Sequence, residues 1–258
     1  MQKKTRGKTR PERLSLWLRW LRHTYEEPTA LPPYSIVDLG YGEKPYSTIE
    51  LLDAVEGWDV IPTIVGIESS EHRHAQASAL KHPKIQFRLG GAEAIETCSP
   101  PARLIRAINV LRQYPPDQTA AIRRSWLTFC APGALITEGT TDRDGNVLGM
   151  WLLRQDRPET LILGASCTHG FAPAQLFAAL PNDIRWQHTR PAWVATLFER
   201  WTDYWRTTSS RLEPRERFEE SVHTLHEAHT AWVVRDPALW TLGLVEFQPD
   251  HIKADTGS

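Results

Sequence analysis

A chain of 258 residues is long enough to bury the core of one sizeable α/β domain, with about a hundred residues beyond a minimal sheet. Its 30 basic and 31 acidic side chains cancel to a net charge of -1, which excludes a global electrostatic pull toward nucleic acid or an anionic membrane. Cys98, Cys130 and Cys167 are scattered, odd in number and without a Cys-x-x-Cys pair, so the chain reads as a reduced, cytoplasmic protein, and no apolar run approaches the roughly 20 residues of a membrane span.

The chain opens with a basic arm. Lys3, Lys4, Arg6, Lys8, Arg10, Arg13, Arg19 and Arg22 stand against Glu12 alone in the first 22 residues. Such an arm can steer an anion or touch RNA phosphates. The preferred reading is a leader followed by an amphipathic helix that packs Leu14, Trp17, Leu18 and Leu21 on the domain and leaves the charges in water. Arg19 interrupts the apolar run, so it is no signal peptide.

Ser35 to Leu39 is a short apolar run with an acid, Asp38, near its end, and Gly40-Tyr41-Gly42 follows as a turn that lets backbone approach a ligand closely. A helix from Thr48 to Val55 places Ile49, Leu52 and Val55 on one face, with its N-terminus toward whatever the loop holds. Pro45 stands where a dinucleotide fingerprint wants a third glycine, and Gly-Lys-Ser/Thr is absent, so neither a dinucleotide loop nor a phosphate cradle is matched. Thr63 to Glu68 is a second strand that ends in a carboxylate, and Lys84 to Arg88 is a third, running into Leu89-Gly90-Gly91-Ala92-Glu93. Ala102 to Ala107 is a fourth, continued by Asn109-Val110-Leu111-Arg112-Gln113-Tyr114. Pro115 and Pro116 then reset the backbone for a helix over about Asp117 to Phe129, with Ile122, Trp126 and Phe129 on one side, and Ala134 to Gly139 supplies a fifth strand. Five strands alternating with helices predict a doubly wound, mostly parallel α/β sheet.

After Gly139 the alternation stops. Thr140 to Asn146 is a turn-rich loop, and Val147 to Leu153 with Thr160 to Ala165 predicts an antiparallel edge. From Pro173 onward the chain reads as helical and rich in tryptophan, with Val194, Leu197, Phe198, Trp201 and Trp205 at core spacing. The predicted organisation is an arm and helix over 1–30, an α/β core over 31–168 and a helical extension over 169–258. His72 and His74 face apart on a helix, and His223, His226 and His229 share a face without a fixed acidic or thiolate partner, so no metal site is expected.

The loop Asp38-Leu39-Gly40-Tyr41-Gly42 resembles the Asp-x-Gly-x-Gly loop of class I S-adenosylmethionine-dependent methyltransferases. Taken with Thr5-Arg6-Gly7-x-Thr9, Gly66-Ile67-Glu68, Arg88-Leu89-Gly90-Gly91, Ile105-Arg106-Ala107, Asn109 to Tyr114 and Glu138-Gly139-Thr140, the chain resembles a bacterial group of class I methyltransferase-like proteins over about residues 3–206. That resemblance implies a Rossmann-like fold and S-adenosylmethionine as cofactor, held by Asp38, Gly40, Tyr41, Gly42, Glu68, Ser69, Gly91, Ala92 and Asn109. Glu68 would take the ribose hydroxyls and Gly91-Ala92 would border the adenine, although the group tends to carry an aromatic residue where Ala92 stands. The resemblance supplies no methyl acceptor.

At the carboxyl edge of the sheet, where such folds bind ligands, Arg112, Tyr114 and Glu138 are the candidate catalytic residues. Arg112 can clamp a carboxylate or phosphate and Tyr114 can orient the acceptor. Glu138 can act as base or pair with Arg112. The expected function is methyl transfer to a small or anionic acceptor. The absence of Asn-Pro-Pro-Tyr/Phe counts against amino groups of nucleic acids and glutamine. Two alternatives remain open: an RNA methyltransferase that uses the basic arm, and a non-catalytic S-adenosylmethionine-binding protein.

Overall fold

The structure, a computed structural model, describes residues 10–25, 33–59, 61–185 and 190–257. Lys3, Lys4, Arg6, Lys8 and the Thr5-to-Thr9 motif lie outside them. Strand β1 spans Ser35–Leu39, β2 Thr63–Glu68, β3 Ile85–Leu89, β4 Ala102–Ile108 and β5 Leu135–Thr141. They are followed by β6 at Val147–Arg154, β7 at Thr160–Ala165 and β8 at Leu244–Phe247. One sheet contains them all, in the order β3-β2-β1-β4-β5-β6-β7-β8. The first five run parallel, and β6, β7 and β8 are each antiparallel to the strand before them. The molecule is therefore a doubly wound, Rossmann-like α/β fold with an antiparallel edge.

The period-2 alternation of each strand divides the core between the two faces of the sheet. Val37, Leu39, Val65, Ile67, Ile105, Ala107 and Ile136 face one way, and Ile36, Ile64 and Leu104 face the other. All five residues of β1 are buried, as expected for a central parallel strand covered on both faces. Helix α1 (Ser15–Thr24) and helix α2 (Tyr46–Val55) belong to the second face, and α4 (Pro116–Trp126) to the first, while helix α3 (Glu71–Ser78) packs beside β2 and β3. The first face is completed by α5 (Asn182–Arg185), α6 (Ala192–Thr207), α7 (Pro214–Ala228) and α9 (Pro249–Thr256), while α8 (Pro237–Thr241) reaches the second.

Helix α1 is held by its aromatic residues. Trp17 and Trp20 have no exposed surface, and Trp17 Nε1 donates to Thr137 Oγ1 at 2.9 Å, which itself donates to the Ile105 carbonyl at 2.9 Å. A buried indole that satisfies its N–H on the sheet both docks the helix and fixes its rotation.

Two expectations need correction. The predicted helix to Phe129 ends at Trp126 and continues only as a 3-10 turn, with Phe129 exposed instead of on the apolar side. The C-terminal extension is not purely helical: Leu244–Phe247 pairs with β7 in the register Leu161↔Phe247 to Gly164↔Leu244. Without β8 that edge would present a row of unpaired backbone donors and acceptors beside an apolar core. Among the described residues no helix is long and apolar enough to cross a membrane.

Candidate functional site

The chain leaves β1 toward β2 and β3 on one side, then returns to β4 and β5 on the other. The crevice beyond the carboxyl ends of β1 and β4 is thus the topological switch point of the sheet. Two left-handed backbone corners meet there. Gly40 has φ 75° and Gly42 φ 84°, and Asn109, just past β4, has φ 66°. Glycine takes that conformation freely and asparagine tolerates it. A Cβ placed on Gly40 would stand 2.8 Å from Cγ2 of Val110, so the glycine also lets the two loops touch.

Asp38 shapes this corner from below. Its carboxylate accepts from Thr48 Oγ1 at 2.6 Å and Ser47 Oγ at 2.8 Å, and it pairs with Arg106 through Nε at 3.1 Å and Nη2 at 2.9 Å. Arg106 is itself fully buried, donates to the Ser47 carbonyl at 2.6 Å and lies 4.7 Å from the Trp17 ring centre. The Asp38 side chain is committed to this network and reaches a ligand only through the loop that it holds. A lone cation inside the apolar run Leu104-Ile105-Arg106-Ala107-Ile108 is the sequence signal of this buried pair.

Tyr41 is likewise turned inward. Its ring packs edge-on to Phe87 at 5.5 Å, and burial, with Glu68 and Asp38 nearby, pushes its hydroxyl well above the usual tyrosine range. Gly66 makes the room, since a Cβ there would come within 3.1 Å of both rings. The loop offers a ligand the backbone of Tyr41 rather than its ring.

Glu68, buried at the end of β2, accepts from Gly42 N at 2.9 Å and Ser70 N at 3.0 Å, with the Ser69 hydroxyl at 3.5 Å and Arg73 Nη1 at 3.8 Å. An ionised carboxyl offers about four acceptor positions, so these backbone donors position it without exhausting it. Beyond β3, Gly90 N donates to the Glu68 carbonyl at 3.1 Å and Gly91 N to Glu93 Oε1 at 2.8 Å, and buried Ala92 opens a 3-10 turn. Glu68, Ser69, Gly91 and Ala92 thus lie on adjacent strand ends.

On the other side of the crevice, Asn109 N donates to the Gly139 carbonyl at 2.7 Å, and its Oδ1 accepts from Thr141 N at 3.3 Å and Arg112 Nη1 at 3.2 Å. Asn182 at the start of α5 donates to the carbonyls of Leu111 at 3.2 Å and Tyr114 at 2.9 Å, which pins the loop from outside. Partial burial, followed by Glu93, raises the Tyr114 hydroxyl.

Glu138 does not join this group. Strand alternation puts it on the α4 face, fully buried, with Arg123 Nη1 at 3.8 Å, so its cationic partner is Arg123 and not the expected Arg112. Arg123 also binds Asp183 at 2.7 Å and Glu159 at 2.9 Å and lies 4.9 Å from the Trp151 ring centre. Burial pushes the Glu138 carboxyl up to about 8, with Arg123 opposing and Asp183 and Glu159 adding. For Arg123 burial acts downward, but the charges of Asp183, Glu159 and Glu138 outweigh it and raise the pKa. This cluster borders a cavity of about 540 Å³ between α4, β6 and the start of α6.

No protein-family model and no curated protein matches the sequence. Solved structures that align with part of the chain include the plantazolicin methyltransferase BamL in complex with a triazolic desmethylPZN analog and SAH, at 18% identity and TM-score 0.37 over 51% of this chain and 46% of that one. CalS10, an amino pentose methyltransferase from Micromonospora echinaspora solved with SAM bound, aligns at 15% identity and TM-score 0.36 over 62% of this chain and 72% of that one. The fibrillarin/Nop5p complex aligns at 10% identity and TM-score 0.37 over 90% and 78%. The match to BamL spans less than half of that chain's length.

Proposed function

We propose that the chain binds S-adenosylmethionine at the carboxyl ends of β1, β2 and β3 and directs its methyl group to a small or anionic acceptor held by the Asn109–Tyr114 loop. The observation that carries this reading is the meeting of the Gly40–Gly42 and Asn109 corners at the switch point, with a backbone-positioned carboxylate, Glu68, on the adjacent strand end. The residues present fit the cofactor. The glycine corner exposes backbone, Glu68 keeps acceptor capacity for ribose hydroxyls, and Gly91 and Ala92 leave the third strand end without a bulky side chain.

When bound, the cofactor supplies an electrophilic methyl group on a sulfonium that departs as a neutral thioether. The chain's own part is alignment: Asn109 fixes Arg112, and Asn182 fixes the loop that carries Tyr114. Neither offers a base at neutral pH, because the Tyr114 hydroxyl is raised and a guanidinium keeps its proton. Glu138, with a pKa of about 8, is itself mostly protonated there and lies on the α4 face. None of these three groups supplies a base, so on this reading a proton lost by the acceptor passes to solvent or to another group.

Calorimetry with S-adenosylmethionine tests the reading. Glu68→Ala should weaken binding by about 10-fold to 150-fold, the loss of a charge-assisted acceptor worth about 1.5–3 kcal/mol. Equal affinity in both proteins, or tighter binding of nicotinamide dinucleotides, overturns it.

A further inference from the structure

Three segments that carry arginines meet on the acceptor side of the crevice, and none of Arg13, Arg112 and Arg185 makes an ion pair within 4.0 Å among the described residues, although the charges of Asp142 and Asp144 act on Arg13. Arg112 is held by Asn109 Oδ1, the oxygen that also receives Thr141 N. Arg13, in the turn before α1, donates from Nε to the carbonyl of Asp142 at 3.2 Å, one residue beyond Thr141. That contact is built in: Gly145, with φ 79°, lies so close beneath the segment that a Cβ would fall 2.4 Å from the Arg13 carbonyl oxygen. Arg185 ends α5, the helix whose Asn182 binds the Leu111 and Tyr114 carbonyls on either side of Arg112. Three separate segments thus present cations to one loop. The grouping is unfavourable by itself: burial, then Arg185, then Arg13, lowers the pKa of Arg112. Like charges brought together in a partly desolvated crevice cost stability unless an anion joins them.

We infer that Arg13, Arg112 and Arg185 form an oxyanion-binding subsite, so that the acceptor is a small molecule carrying a carboxylate or phosphate, with Arg13 and Arg185 as positioning residues beside Arg112. This rests on the proposed methyl transfer for the word acceptor, but the anion site stands on its own geometry. A small anion fits better than RNA. Asp142 lies at the same turn, with Oδ1 accepting from Val147 N, and Asp144 already pairs with Arg10 at 2.7 Å. Both acids act on Arg13, whereas the charges acting on Arg112 are the cations Arg185 and Arg13, so a single oxyanion can sit at Arg112 where an extended polyanion would also meet the acids. The charge-assisted bonds of that oxyanion are short and geometrically selective.

The test uses inorganic phosphate and succinate against the full chain at fixed ionic strength, read by calorimetry and thermal melting. One of the two anions should bind and raise Tm, and which one does assigns phosphate or carboxylate. Arg112→Gln, Arg13→Gln and Arg185→Gln should each weaken that binding by about tenfold or more. Arg185→Gln should also melt at or above wild type without ligand, because it relieves repulsion, and should bind S-adenosylmethionine within about threefold of wild type. No binding of either anion overturns the inference, as does unchanged anion binding in all three variants. A single-stranded RNA oligomer that binds more tightly than either anion, with affinity falling steeply with salt, overturns the small acceptor. If S-adenosylmethionine fails to bind while the anion still does, the methyltransferase reading fails and the subsite stands.

Discussion

Arg106 and Glu138 are both ionisable groups buried in the sheet, with opposite consequences. Arg106 meets Asp38, the Ser47 carbonyl and the Trp17 ring, so its charge is matched. Arg106→Met should cost about 3–5 kcal/mol in urea unfolding, because Asp38 is left as an uncompensated buried charge. The paired change Arg106→Met with Asp38→Asn should recover part of that loss, and a double variant no better than the single one would show that the pair is not the source. Glu138 has its cation, Arg123, no closer than 3.8 Å, and burial holds its pKa up to about 8. Its folded pKa exceeds the unfolded value of about 4.3, so the stability linked to its proton is complete below that value. It is lost as pH rises toward about 8, and the dependence is flat above. Glu138→Gln keeps the neutral form at every pH. The melting temperature of the variant minus that of wild type should therefore climb between about pH 4.3 and 8, and parallel curves would refute the buried-proton account. In the candidate site, the Gly40–Gly42 corner and the strand-end position of Glu68 were legible because both are local patterns. The inward turn of Tyr41 was not, because it depends on Phe87 and Gly66 in other strands.

Strands were easier to read than helix ends. The bounds expected for β2 and β7 are those observed, because a buried strand is a continuous apolar run with abrupt polar ends. The end of α4 was misplaced because Leu127 and Phe129 continue its apolar pattern while the chain tightens into a 3-10 turn. β8 escaped notice because four residues between helices leave little periodicity, and its reason for pairing is the open edge of β7. Asn182 was missed as well, since its role lies in two carbonyls of a loop 68 to 71 residues away. Asn182→Ala should lower Tm by a few degrees, reflecting about 1–3 kcal/mol for two carbonyls left unsatisfied. If the chain is the proposed methyltransferase, the change should reduce methyl transfer through a looser Arg112 loop and alter S-adenosylmethionine affinity by less than about threefold. A variant that loses cofactor affinity in the same proportion as turnover would place the effect of Asn182 elsewhere.

At the scale of the molecule, the extension after residue 168 shares the core of the α/β unit. Trp201, Phe218 and Phe247 share one buried cluster with Val37 and Ile105, so no boundary of the core falls between the α/β unit and the C-terminal helices. Deleting residues 244–258 should expose the β7 edge and remove Phe247 and Ile252 from that cluster. Size-exclusion chromatography should then show aggregation, and a monodisperse, folded fragment would contradict this. The stack of Trp17 on Arg106, and of Arg106 on Asp38, makes the docking of the first helix and the shape of the glycine corner one equilibrium. Any ligand that prefers the formed corner must, by reciprocity, tighten the helix, and undocking the helix must weaken the ligand by the same factor. Amide exchange across residues 15–24 therefore becomes a remote gauge of occupancy, slowing as ligand is added and slowing less in Arg106→Met, where the relay is cut.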